Sequence, residues 1–276
     1  DTALPTYAVL VPLYREAEVV RSLLDALAAL DYPHDRLDIV LIVEQSDTLT
    51  RTAIARCRTP AHVRVAVVPD GLPRTKPRAL QYALGLTNAS YVVVYDAEDQ
   101  PEPNQLRRVV ARFTDTAQGT ACVQARLNVD NWDENWLTRQ FAIEYTALFD
   151  AILPALERLG LPLPLGGTSN HFCAEALRAS GGWDPFNVTE DADLGIRLAR
   201  QRRRVGLSAS TTWEEAPSTL ACWLGQRTRW LKGWMQTYVV HMRRPARLWR
   251  ELGARRFIGF QVLMGGLILS ALVHPW

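Results

Sequence analysis

At 276 residues the chain is long for one domain and short for two, which predicts one large α/β domain with additions. Its 31 Lys+Arg against 29 Asp+Glu lack the basic excess of a dedicated nucleic-acid binder, so no nucleic-acid partner is expected. Cys57, Cys122, Cys173 and Cys222 are scattered without a Cys-x-x-Cys pair, which argues against a zinc ribbon or disulfide scaffold and fits a reducing, cytosolic setting.

Asp1-Thr2-Ala3-Leu4-Pro5 leads directly into an apolar run, without a signal-peptide pattern. Five short β-branched runs predict strands: Tyr7–Leu13, Asp38–Val43, Val63–Val68, Tyr91–Tyr95 and Thr120–Ala125. Between them, Val19, Val20, Leu23, Leu24, Leu27 and Leu30 recur at helical spacing, as do Ala79, Leu80, Ala83, Leu84 and Leu86. Apolar strands without alternation, separated by helices, predict a mostly parallel central sheet covered on both faces. Ligands of such sheets bind beyond the carboxyl ends of the strands. The loops there are Pro12-Leu13-Tyr14-Arg15-Glu16, Glu44-Gln45-Ser46-Asp47 and Asp96-Ala97-Glu98-Asp99, all rich in polar or acidic residues.

From about Asn131 the pattern changes. Trp132, Trp136, Phe141, Tyr145, Leu148, Phe149, Ile152 and Leu153 form an aromatic-rich helical stripe. The apolar, helix-breaking Leu159–Leu165 follows, expected to pack on the domain in preference to lying at a membrane surface. Arg243, Arg244, Arg247, Arg250, Arg255 and Arg256 then face the single acid Glu251, and Phe257–Val273 is a 17-residue uncharged apolar run. That length stops just short of the roughly 20 residues needed to cross a bilayer. Arginines flanking such a run belong on the cytoplasmic side. A membrane helix or its beginning is expected, with a buried core helix as the alternative, and the chain is expected to be part of a longer membrane protein.

Three groups of residues carry chemistry. Asp96-Ala97-Glu98-Asp99 follows a predicted strand directly, and three carboxylates on one turn repel one another unless a cation or solvent offsets them. Hard ions such as Mg²⁺ or Mn²⁺ take oxygen ligands and bridge to substrate phosphates; a solvated turn with helix-capping acids is the alternative. Thr189-Glu190-Asp191 opens a helical pattern, where Thr189 can cap and the acids suit the helix dipole. Equally, a carboxylate there can act as general base toward an acceptor hydroxyl. In Gln226-Arg227-Thr228-Arg229-Trp230 the spacing i, i+3, i+4 puts Gln226, Arg229 and Trp230 on one helix face. An amide, a guanidinium and an indole suit a pyrophosphate and a sugar ring; an interfacial amphipathic helix fits them as well.

In this order, the three groups resemble those of the family 2 glycosyltransferases, close to the membrane-embedded polysaccharide synthases typified by bacterial cellulose synthase. The resemblance runs from about Tyr7 through Trp234, with the trailing apolar segment. It implies an α/β GT-A (Rossmann-like) fold followed by interfacial helices and the start of a transmembrane segment. It further implies a nucleotide-sugar donor, a UDP-sugar foremost, a divalent cation (Mg²⁺ or Mn²⁺) and inversion at the anomeric carbon. Carried over by position, Asp96 and Glu98 resemble the metal- and diphosphate-binding pair, and Asp191, beside Glu190, the catalytic base. Gln226 and Arg229 match the residues that hold the donor diphosphate, and Trp230 the acceptor end. Pro12, Tyr14 and Glu16 fall in the loop over the nucleobase, with Glu44 and Lys76 also on the donor side. Gly166-Gly167-Thr168-Ser169-Asn170 falls where the family lines the acceptor site, which nominates Thr168 and Ser169.

The chain departs from the pattern twice. Glu44-Gln45 stands where the family usually has Asp after the second strand, and Asp-Ala-Glu stands for the usual Asp-x-Asp. Asp99 is therefore an alternative second metal ligand. The resulting organisation is a cytosolic catalytic domain over 1–240, a basic juxtamembrane segment over 241–256 and a transmembrane helix or its beginning over 257–276. The expected setting is the inner (plasma) membrane, with the catalytic domain on the cytoplasmic side. The expected activity is sugar transfer to a glycan hydroxyl in β-polysaccharide synthesis, with further membrane helices or subunits of a synthase complex as partners. Single-sugar transfer to a membrane lipid and a non-catalytic nucleotide sensor on the same fold are the alternatives, with a structural membrane protein further off.

Overall fold

The structure is a computed structural model that describes residues 4–115 and 119–274. The first half alternates strand and helix: β1 (Tyr7–Leu13), α1 (Val20–Ala28), β2 (Leu37–Glu44), α2 (Thr48–Arg56), β3 (Val63–Val68), α3 (Lys76–Leu84) and β4 (Tyr91–Val94). β1, β2, β3 and β4 pair in parallel, with Val9 opposite Ile39 and Val93. Successive side chains of these strands enter different layers. Ala8, Leu10, Val40, Ile42, Val92 and Val94 meet Leu80 and Ala83 of α3 on one face. Tyr7, Val9, Ile39, Leu41 and Val93 meet Leu23 and Leu27 of α1 on the other. Both faces are buried, so the strands need no polar alternation.

The second half supplies β5 (Gln100–Pro101), α4 (Gln105–Asp115), β6 (Thr120–Val129), α5 (Trp136–Thr146), a π-helical stretch (Ala147–Ile152), α6 (Leu153–Arg158), β7 (Asn170–Cys173), α7 (Ala174–Ala179), α8 (Glu190–Arg200) and β8 (Arg204–Glu214). Among the described residues the strands form one eight-stranded sheet in the order β3-β2-β1-β4-β7-β6-β8-β5. β7 is antiparallel to both neighbours and β5 to β8, so the other six strands point one way. The mostly parallel sheet is therefore present, with three strands beyond the five read from apolar runs. β7 reads Asn-His-Phe-Cys and β8 is rich in Ser and Thr, because their inward polar groups are used. Gln105 donates to Ser210 Oγ (3.3 Å) and Thr212 Oγ1 (3.0 Å), and accepts from Tyr95 Oη at 2.6 Å and from His171 Nε2 at 3.1 Å. Tyr7 Oη donates to His171 Nδ1 at 2.7 Å. Burial lowers the His171 imidazole to about 3, which keeps it neutral in this network.

The chain ends in α9 (Leu220–Met242), α10 (Pro245–Phe260), a π turn (Gln261–Gly265) and α11 (Gly266–Val273). α10 breaks at Gly253, whose φ of 74° and ψ of 166° lie outside the helical region and suit a residue without Cβ. The basic stretch is thus a short helix folded against the domain, with the apolar helix starting after the break. Leu248, Leu252, Phe260 and Met264 pack on Ala192, Ile196 and Ala199 of α8. The approach at Gly259 is close, since a Cβ there would lie 2.7 Å from Leu161 Cδ2. Leu163 and Leu165 are buried, so the Leu159–Leu165 segment packs on the domain as expected. Pro245–Val273 is long and apolar enough to cross a membrane, and only 17% of its most apolar window is buried. Val262, Leu267, Leu269, Leu272 and Val273 stand exposed, unlike a core helix.

Candidate active site

Four parallel strands deliver carboxylates to one edge of the sheet. Glu16 follows β1, Glu44 ends β2, Asp96 follows β4 and Glu214 ends β8. The strand ends are drawn together by Asp47, whose Oδ2 accepts Arg15 N–H at 2.6 Å while Oδ1 accepts Thr50 N–H at 3.2 Å. That bond holds Arg15 in a left-handed conformation (φ 60°) and turns Glu16 inward. Pro12 is the penultimate residue of β1, opposite Ile42, and Tyr14 is exposed with Arg15 over its ring at 5.2 Å.

Lys76, the first residue of α3, lies at the centre. Its ammonium donates to Asp96 Oδ1 and, at 2.8 Å, to the Gly167 carbonyl. Burial acts to lower its pKa, but the carboxylates of Asp96, Glu190 and Asp99 outweigh that and hold it above its ordinary value. Beyond Gly167 is Asp191: a Cβ at Gly167 would lie 3.6 Å from Asp191 Oδ2. The other oxygen, Oδ1, accepts Ala192 N–H at 2.7 Å. Burial pushes Asp191 up to about 6, and burial together with neighbouring Asp191 pushes Glu190 to about 7.

The Asp96–Asp99 turn divides its acids. Glu98 reaches solvent, yet partial desolvation by the surrounding protein, together with Asp96, raises its carboxyl. Asp99 is buried, accepting Asp96 N–H at 2.7 Å and the Thr168 hydroxyl on Oδ2, while Oδ1 has no partner among the described residues. Burial first, then Asp96 and Glu214, push Asp99 well above the carboxylate range. Thr168 and Ser169 are also turned inward. Thr168 Oγ1 reaches Asp99 and Val94 O (3.2 Å), and Ser169 Oγ donates to Thr212 Oγ1 at 2.6 Å. Their backbone is tethered by Gln124, which accepts Gly166 N–H at 2.8 Å and donates to Thr168 O at 3.0 Å. On this loop it is Gly167 that stands exposed between Lys76 and Asp191.

Thr189 does not cap α8, contrary to expectation. Its side chain makes no capping hydrogen bond and turns instead to α9, with Oγ1 3.4 Å from Thr237 Oγ1. Gly233 makes the approach possible, since a Cβ there would meet Thr189 Cγ2 at 2.4 Å. α8 is anchored further along. Asp193 Oδ1 accepts from His241 Nε2 (2.9 Å) and Oδ2 from Arg197 Nε (2.7 Å), while Arg200 Nη1 meets His241 Nδ1 at 2.9 Å.

α9 carries Gln226, Arg229 and Trp230, and its link to the acids runs through residues that the sequence reading passed over. Tyr145 donates to Glu214, whose charge acts in turn on Asp96 and Glu98. Burial and these neighbours push Glu214 to about 7, and burial with Glu98 and Asp96 does the same to Glu16. Arg227 pairs with Glu144 and lies 5.1–5.2 Å from the rings of Phe141, Trp223 and Trp230. Trp223 Nε1 and Gln226 Oε1 are buried without partners among the described residues. Arg229 is exposed and forms no ion pair among the described residues. Glu44, on the donor side, is buried against Arg78, with Nη1 at 3.3 and 3.4 Å from its two oxygens. Glu214 opens the doublet just ahead of Ala216-Pro217; recognising β8 as a parallel strand would have placed it at the cleft.

Among the described residues no three His, Cys, Asp or Glu side chains form a ready-made metal cage. The donor set suits a cation that completes its shell with water and phosphate, because Asp96 and exposed Glu98 offer hard oxygens. Burial raises Glu16, Glu98 and Glu214 first, and the further rise from neighbouring acids marks negative charge that a cation would relieve.

The chain belongs to glycosyltransferase-like family 2, whose model matches residues 5–233. It is 30% identical over 244 residues to a β-monoglucosyldiacylglycerol synthase of Synechocystis, covering 87% of this chain and 50% of that protein. It is 26% identical over 259 residues to glucomannan 4-β-mannosyltransferase 1 of rice, Oryza sativa subsp. japonica, covering 91% and 47%. The chain thus spans about half the length of these curated relatives. Its fold matches the mannosyltransferase PcManGT of Pyrobaculum calidifontis, solved with GDP-Man and Mn²⁺ (TM-score 0.69, 20% identity, 98% and 81% covered). The GT-A fold read from the sequence is present.

Proposed function

We propose that this chain moves a sugar from a nucleotide-diphosphate donor to an acceptor hydroxyl, with inversion, at a membrane surface. The single observation that carries the reading is Lys76, bonded to both Asp96 and the Gly167 carbonyl, with Asp191 immediately beyond. A charge-neutralising group and a basic carboxylate thus flank one short span of cleft.

In this reading the donor diphosphate lies along Asp96, Glu98 and Lys76. Glu98 is the favoured second metal ligand, because Asp99 is committed to the interior of the turn. A divalent cation bound by Asp96 and Glu98 would supply Lewis-acid stabilisation of the departing diphosphate, and Mn²⁺ beside GDP-Man in PcManGT supports that choice. Lys76 adds fixed positive charge to the same leaving group. Asp191 takes the acceptor hydroxyl's proton through Oδ2, its Oδ1 being held by Ala192 N–H. The acceptor oxygen bonds to the anomeric carbon as the bond to the diphosphate oxygen breaks, and attack from the opposite face inverts that carbon. The unpartnered Gln226 Oε1 and Trp223 Nε1 suit hydroxyls of donor or acceptor. Trp230, packed on Phe141 at 6.2 Å, forms the acceptor-side wall.

A glycan acceptor is the first reading. A lipid acceptor is the second, favoured by the 30% identity to a glycolipid synthase. Incubating membranes that carry the chain with individual UDP- and GDP-sugars, then sizing the product, tests both. Polymer supports the first reading, single addition to a lipid the second, and no transfer from any donor overturns the enzyme reading.

A further inference from the structure

A second charged concavity lies away from the acidic cleft, on the far half of α8. It encloses about 380 Å³, within the range of small-molecule sites. Gly195 and Ala199 of α8 form part of its wall, so it begins one turn beyond Asp191 and none of the cleft residues lines it. Six arginines do: Arg112, Arg158, Arg203, Arg204, Arg255 and Arg256. Glu157 is the single acid, already paired with Arg112 at 2.9 Å. Thr120 adds a buried hydroxyl without a partner among the described residues.

These guanidiniums come from four separate segments, so their convergence is a product of the fold. Like charges around one concavity repel, and a bound anion relieves that repulsion. Guanidinium matches the paired oxygens of phosphate better than a halide or a lone carboxylate oxygen. The location selects among phosphates. Arg255 and Arg256 lie in the first turn after the Gly253 break, where the exposed apolar helix begins, and Arg256 Nε is fixed on the Gly160 carbonyl at 3.2 Å. If Phe257–Val273 enters a bilayer, this rim lies at headgroup depth.

We infer that this concavity binds the phosphate of an anionic glycerophospholipid and so fixes the catalytic domain against the membrane. The inference rests on the membrane reading above, and the test separates the two. The purified chain is floated with vesicles of phosphatidylcholine alone and of phosphatidylcholine mixed with phosphatidylglycerol. It is compared with Arg158→Gln/Arg203→Gln/Arg204→Gln and with Arg243→Gln/Arg244→Gln/Arg250→Gln, which removes as much juxtamembrane charge outside the concavity. Losing three guanidinium contacts to one bound phosphate, the first variant drops roughly a hundredfold or more in affinity for the anionic vesicles. The second loses clearly less. Equal losses mean diffuse attraction and overturn the site. If the wild type binds neither vesicle, the membrane reading fails on its own. Inorganic phosphate followed by thermal shift then decides the anion site: stabilisation of the wild type but not of the first variant retains it, and no stabilisation of either overturns it. Phosphate binding as tight as that of the anionic vesicles overturns the lipid source.

Discussion

The two ends of α8 meet opposite electrostatic environments. At its first turn, Glu190 and Asp191 lie within reach of Asp96, which also acts on Glu16 and Glu214, and burial reinforced by this acidic crowding brings Glu16, Glu190 and Glu214 to about 7. Beyond, at Gly195 and Ala199, the helix borders a concavity of six arginines with one acid. Apart from exposed Glu98, the cleft acids are buried or half-buried at strand ends and the start of α8, whereas Arg158, Arg203, Arg204 and Arg255 are exposed on loops and helix ends. Burial couples charges and shifts their protonation, while exposure leaves them ionised, solvated and screened. The first environment suits proton transfer and the second recognition of a fixed anion.

The largest effect that would break this division is Asp96→Asn, which removes the carboxylate that Lys76 grips. Transfer falls roughly a thousandfold, the scale of losing one preorganised electrostatic group, and donor affinity falls with it. Initial rates and nucleotide titration measure both, and near-normal rates contradict the role given to Asp96. Next is Gly233→Ala, which drives a methyl into Thr189 and costs about 1–3 kcal/mol of packing. Transfer drops by one to two orders of magnitude if α9 positions the Asp191 turn, on the scale of a displaced catalytic group. Adding Thr189→Ala, which deletes both atoms the methyl meets most closely (Cγ2 at 2.4 Å and Oγ1 at 2.7 Å), recovers much of it; no recovery means that the contact is not what positions the base.

A pH profile sharpens the contrast further. Asp191 must be ionised to accept a proton, and its raised value of about 6 puts that ionisation near neutrality. kcat/KM therefore rises about tenfold per pH unit below 6 and levels above 7, and a flat profile from 5 to 7 contradicts the assignment. The smallest effect is the response to salt. Retention on anionic vesicles weakens more steeply with ionic strength than donor affinity does, because exposed arginines are screened more than half-buried acids. Equal slopes would remove the distinction between the two environments.

Much of the parallel half was legible because both faces of β1, β2 and β4 are buried, so Tyr7–Leu13 and its neighbours read as unbroken apolar runs. The loops at their ends then placed Glu16, Glu44 and Asp96 at the cleft edge. β7 and β8 were not legible, since their buried His171, Ser210 and Thr212 spend their polar groups on interior hydrogen bonds and look like loop residues. With β8 went Glu214. Side-chain direction was also beyond reach: Thr168, Ser169 and Asp99 share the motif segments, yet the fold turns them inward. Arg227 was eclipsed by Arg229 because spacing marks a helix face, whereas the aromatic cage around Arg227 is assembled from α5 and α9 together. Thr189 shows the same limit, for no local pattern announces that Gly233 leaves room for its side chain.

The most direct test of the central claim is sugar transfer by Asp191→Asn, measured with radiolabelled donor beside equilibrium binding of the nucleoside diphosphate. The account predicts transfer reduced by about three orders of magnitude or more, with nucleotide affinity nearly unchanged, since Asp191 lies on the acceptor side of Lys76. Full transfer by that variant would contradict it.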